Sequence, residues 1–153
     1  MIQTPNFTLE LGLPWQASAG QDPEHYAFRD ETRDVVVVVS VMSLHIAPEA
    51  IAQFASLLVD TRFQAEVDAG RAPDRRATVY EPIVAPQPWG SAVAYYGHDV
   101  TGRQFSFSGS VTPRCAISLY GSSDKLSERG LLQAMDEVAS KITFDRTPLA
   151  HRA

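Results

Sequence analysis

Gln104-Phe105-Ser106-Phe107-Ser108-Gly109-Ser110-Val111 places Phe105, Phe107 and Val111 at alternate positions, with Gln104, Ser106, Ser108 and Ser110 between them. Side chains on a strand point alternately to its two faces, so this period of two predicts a strand with one buried and one wet face. A sheet wet on one side is antiparallel, because parallel crossovers cover both sides. The neighbours agree. Residues 92–100 lead into this strand across Thr101-Gly102-Arg103, a short glycine-containing hairpin loop. Thr112-Pro113-Arg114 turns the chain into a third strand over 115–120.

Working outward, residues 78–84 read as a strand running into Pro86, Pro88 and Trp89. Pro48 opens a helix at a position where its missing N–H costs nothing. Ile51, Phe54, Leu57 and Leu58 make that helix's apolar face, which runs through Phe63 to about Ala69 before Gly70. The unbroken valines of 35–39 suit a central strand covered on both faces. Residues 25–30 form a short strand with Tyr26 and Phe28 on one side, and 16–24 are a polar loop. At the front, Phe7, Leu9 and Leu11 alternate with polar or small residues until Leu13-Pro14, with Trp15 at the corner. A second helix, capped by Ser127, carries Leu131, Met135, Val138 and Ile142. Phe144 closes the core, and 145–153 read as a frayed tail. The order β-β-β-α-β-β-β-β-α predicts an α+β domain. Its single curved antiparallel sheet has about six or seven strands and packs against two main helices.

The 153 residues suit one domain, ordered over about 6–144, and 44% hydrophobic with 20% charged residues is a globular balance. A net charge of −5 and no basic cluster beyond Arg71, Arg75 and Arg76 argue against nucleic acid. Cys115 is the single cysteine and reads as core on a strand with Ile117 and Leu119. No internal disulfide can form, which fits a reducing compartment. Met1-Ile2-Gln3-Thr4-Pro5-Asn6 has neither a basic nor an apolar signal region, and the longest apolar run, 35–39, cannot span a bilayer. The expectation is a cytoplasmic protein.

Chemistry is sparsely signalled. His25, His45, His98 and His151 stand in no metal-binding spacing, so neither metal nor cofactor is implied. His98 and Asp99 are adjacent on a strand and point to opposite faces, which precludes a dyad there. Asp30-Glu31 and Asp136-Glu137 read as solvent-facing pairs, although carboxylates distant in sequence can meet in space. No nucleophile elbow or phosphate-cradling loop is present, so no catalytic residue is nominated and the chain reads as non-enzymatic. Two features suggest contact with another protein. Trp89 sits in the proline-rich segment 82–90, where it either anchors a partner or folds back over the sheet. The stripe Gln104, Ser106, Ser108 and Ser110 offers a flat hydroxyl face to a partner or a second copy. Residues 1–45 carry six acidic residues against Arg29 and Arg33, a surface that would steer a basic partner.

The opening Asn6-Phe7-Thr8-Leu9-Glu10-Leu11, then Leu13-Pro14-Trp15, resembles the F-x-L-x-L-P-x-x-W start of PsbP-like domains, the superfamily that includes bacterial DcrB-like proteins. The valine-rich strand, the helix after Pro48, and the closing Ile142-Thr143-Phe144 agree with it in outline over 6–144. Here Trp15 follows proline directly, and Thr143 replaces the usual serine. The resemblance implies a protein-binding module without catalytic residues. Its small cytoplasmic bacterial members imply an adaptor or chaperone for a type VI secretion effector, often homodimeric. An immunity protein that plugs a toxin is the alternative suggested by the acidic front. A small-molecule binder or enzyme with a pocket between sheet and helix is the third, and it requires converging polar groups.

Overall fold

The computed structural model of the chain describes residues 2–18 and 25–151. Its elements are β1 (Ile2–Gln3), β2 (Phe7–Leu9), β3 (Gln16–Ala17), β4 (His25–Asp30), β5 (Val35–Ser43), α1 (Ile51–Ala69), β6 (Ala77–Val79), β7 (Ile83–Gln87), β8 (Gly90–Asp99), β9 (Gln104–Val111), β10 (Cys115–Ser123), α2 (Glu128–Ala139) and β11 (Ile142–Phe144). The α+β class and the antiparallel pairing are those expected from the sequence. The main sheet has eight strands in the order β3-β4-β5-β10-β9-β8-β6, with β7 also on β8, and β1-β2-β11 form a second, three-stranded sheet.

Register assigns the faces. Val111, Phe107 and Phe105 pair with Ala116, Tyr120 and Ser122 on one face, while Ser110, Ser108 and Ser106 pair with Ile117, Leu119 and Gly121 on the other. The first face packs on α1. There Phe105, Phe107, Val111, Val93 and Tyr95 are buried against Ile51, Ala55 and Val59. The second face, across β4, β5 and β10, carries α2 and the small sheet. Val35, Val37, Val39, Ile117 and Leu119 meet Leu131, Met135 and Val138 of α2 and Phe7, Leu9 and Ile142 of the small sheet there. Two apolar layers thus enclose one sheet, and each helix covers only part of its own side.

That partial cover corrects several expectations. The valine strand is dry on one face only, since Val35, Val37 and Val39 are fully buried while Val36 and Val38 are half-buried on the α1 side. Leu57 is exposed, and Ala55 and Val59 take the helix face assigned to it, because α1 meets the sheet through small and branched residues. The strand expected over 78–84 is broken, with β6 ending at Val79 and β7 starting after Pro82. Pro86 lies in β7, an edge strand, where a residue without an N–H does least harm to pairing. The front strand stops at Leu9, and Ile142 begins β11 rather than ending the helix. The tail is docked as far as its last described turn, with the Leu149 N–H donating to Pro88 O and its side chain packed on the α1-side core. Trp15 and Cys115 are core, as expected. The polar loop 16–24 lies largely outside the described residues.

Candidate functional site

Helix α1 runs along the sheet with Arg62 and Glu66 one turn apart, facing β8, β9 and β10. Glu66 Oε1 accepts hydrogen bonds from Tyr120 Oη at 2.7 Å and from Tyr95 Oη at 3.2 Å. Strand alternation puts both tyrosines on the α1 face, and Tyr95 stacks on Phe107 with ring centroids 5.3 Å apart. Arg103, at the end of the β8–β9 turn, donates through Nη2 to Tyr120 Oη at 3.1 Å and lies 5.4 Å from the Phe105 ring centroid. Asp99 Oδ1 holds that turn by accepting from the Thr101 and Arg103 backbone N–H groups. Burial, reinforced by the Glu66 carboxylate, raises both phenol pKa values far above the ordinary range, so both remain O–H donors. Arg103 loses hydration by burial, but Tyr120 and Glu66 more than compensate and hold it cationic.

Two open clefts flank this network. One of about 420 Å³ is lined by Glu66, Gly70, Arg75, Asp99, Arg103 and Phe105, among others. The other, about 260 Å³, lies between Arg62, Glu66, Tyr95 and Tyr120. None of these residues was nominated from sequence. The partners stand 54, 29 and 17 positions apart along the chain, and no local spacing signals such a cluster.

The nominated residues lie on the opposite side of the sheet. Gln104, Ser108 and Ser110 are half-buried there, but Ser106 is 4% exposed. Its place on a wet stripe is therefore corrected. Ser106 pairs with Gly121, and a Cβ at Gly121 would stand 2.7 Å from Met135 Sδ, so these two small residues form the seat into which α2 settles. Beyond that seat α2 gives no cover. Ala92, Ala94, Tyr96 and His98 of β8 are half-buried on this side, while Ser91, Val93, Tyr95 and Gly97 are buried on the other. By register Ile83, 58% exposed, extends the open strip onto β7. At one end Tyr80 packs against Tyr96 with ring centroids 4.6 Å apart and planes tilted by 32°. At the other, Trp89 packs edge-on to Phe144 at 5.3 Å, so the tryptophan folds back instead of projecting. From Ala92 to His98 the strip is roughly 20 Å long at strand rise.

The acidic pairs are also rearranged. Arg33 Nε donates to Asp30 at 2.6 Å, and its Nη atoms donate to both oxygens of Glu137 at 2.6 and 2.9 Å. Two carboxylates read as solvent-facing thus converge on one guanidinium, which lies 5.3 Å from the centroid of a Trp15 ring. The adjacent-strand argument for His98 and Asp99 holds, with His98 beside Tyr80 and Asp99 engaged with the turn. Among the described residues no group of three or more His, Cys, Asp or Glu side chains is placed to hold a metal ion. Among the same residues no helix is long and apolar enough to cross a membrane.

No protein-family model matches the chain, and no curated protein does. A likeness appears at the level of structure. The solution structure of cyanobacterial PsbP (CyanoP) from Synechocystis sp. PCC 6803 superposes with a TM-score of 0.63 at 15% identity, covering 92% of this chain and 87% of that one. The fold is PsbP-like. At that identity the likeness concerns the fold alone, and the PsbP-like fold is the part of the sequence resemblance that it bears out.

Proposed function

We propose that this chain is a non-enzymatic protein-binding module that takes an apolar segment of its partner on the open strip of β7 and β8. The observation that carries this reading is the half-covered sheet. Ile83, Tyr80 and Tyr96, with Ala92 and Ala94 between, form a band of apolar surface beside the half-buried hydroxyls of Ser108 and Ser110. Contiguous apolar surface rimmed by polar groups is how interaction sites present themselves. A strip of roughly 20 Å accommodates about six residues of extended chain. The partner class we put forward is a bacterial type VI secretion effector, with this chain as a cytoplasmic adaptor that can dimerise. That part rests on the resemblance to the small cytoplasmic bacterial members of the PsbP-like superfamily. The immunity reading draws less support, because Asp30 is neutralised internally by Arg33.

Affinity capture from the native host tests the proposal, with the wild type compared against Ile83→Asp and Ala94→Asp. One predominant partner retained by the wild type and lost by both variants is expected, with light scattering reporting whether two copies assemble. Equal capture by all three proteins would refute the assignment of the strip.

A further inference from the structure

The cleft at the C-terminal end of α1 has an arrangement that protein docking on the opposite face does not use. Tyr120 Oη donates to Glu66 and accepts from Arg103, so a single phenol bridges a carboxylate and a guanidinium. The two charges make no direct ion pair, although both line the same cleft of about 420 Å³. Opposite charges on flexible side chains normally close on each other. Here each is fixed instead: Glu66 by two hydroxyls on Oε1, and Arg103 by Tyr120 and the Phe105 ring. Each also keeps unused capacity. Glu66 Oε2 accepts nothing, and Arg103 Nε and Nη1 donate to nothing, among the described residues. Arg75 adds a second cation at the rim, and Asp99, held charged by its bonds to Thr101, a second anion.

We infer that this cleft is a receptor for a small zwitterion, an α-amino acid whose ammonium meets Glu66 Oε2 and whose carboxylate meets Arg103 and Arg75. A ligand bearing only one charge would satisfy one group and leave the opposite group repelling it or desolvated. A zwitterion satisfies both without changing the net charge of the site. Charge-assisted bonds of this kind are the strong ones, and an arginine fork suits a carboxylate. The volume is enough for a ligand of amino-acid size, and the small residues Ala69, Gly70 and Ala77 in the lining leave room for the ligand's side chain. Such a receptor is selective for the backbone charges and tolerant of the side chain.

Isothermal titration of the full chain with L-alanine, L-glutamate and L-leucine tests this, beside propionate and ethylamine, which are the two halves of alanine. Saturable binding of the amino acids is expected, with each half at least about tenfold weaker. Arg75→Gln lies on the exposed rim and should weaken binding several-fold without changing thermal stability. Glu66→Gln should weaken binding more, whereas Arg71→Gln, outside the cleft, should leave it unchanged. Absence of heat with all three amino acids up to about 10 mM would overturn the inference. So would binding of propionate as strong as that of alanine, or amino-acid binding untouched in Arg75→Gln and Glu66→Gln.

Discussion

Replacing Arg33 by glutamine removes an ion-pair network that ties α2 to the β4–β5 turn. Asp30 is 2% exposed and 2.6 Å from Arg33 Nε, so removal of the guanidinium strands a buried carboxylate. At an effective dielectric near 20, two charges about 4 Å apart interact by roughly 4 kcal/mol. Glu137, with its side chain 41% exposed, adds no more than about 1 kcal/mol after solvent screening. The variant should therefore lose about 3–5 kcal/mol, the range for a broken buried pair. Urea unfolding near neutral pH measures this. The pH dependence supplies the sign. Burial alone would raise the Asp30 pKa, but the bonds to Arg33 lower it overall, and the Arg33 hydrogen bonds lower that of Glu137. A carboxylate whose folded pKa lies below its unfolded value stabilises the fold above the ordinary carboxylate range, and that contribution is lost as pH falls through the folded pKa. Wild-type stability should thus drop on acidification below about pH 4, and the gap to Arg33→Gln should narrow there. Adding Asp30→Asn to Arg33→Gln should recover part of the loss, since no buried charge is then left unpaired. A cost under about 1 kcal/mol, or one of constant size from neutral to acid pH, would refute the reasoning.

Further tests address the layers of the fold. Phe107→Ala, a fully buried ring stacked on Tyr95, should cost about 3–5 kcal/mol, whereas Gln104→Ala should stay within about 0.5 kcal/mol; chemical denaturation reads both. Equal losses would mean that the faces of β9 are misassigned. Ser91 is 2% exposed and its buried hydroxyl has no partner among the described residues, so Ser91→Ala should leave stability unchanged or raise it by about 1 kcal/mol. A large loss in that variant would show that the hydroxyl is bonded after all.

Local sequence was sufficient wherever the determining interaction is itself local. The alternation in β9, the glycine-containing turn before it, the Ser127 cap whose side chain accepts from the Gly130 N–H, and the helix opening after Pro48 all depend on a few neighbouring residues. Strand alternation likewise separated Phe105 and Phe107 from the serines, and a single buried cysteine followed from its apolar neighbours. The resemblance to PsbP-like domains reached the fold because element order and the β2–Trp15 corner are carried by the same local patterns. Tertiary structure decided the rest, because helix placement is a matter of volume rather than of period. A serine beside a glycine is equally suited to solvent or to the underside of a helix. Only the docking of α2 over Gly121 buries Ser106, and only the limited width of that helix leaves β7 and β8 open. The Glu66, Tyr95, Tyr120 and Arg103 cluster, like the convergence of Asp30 and Glu137 on Arg33, is assembled by sheet register and helix packing. Those contacts bridge large separations along the chain, at which a one-dimensional pattern carries no geometric information.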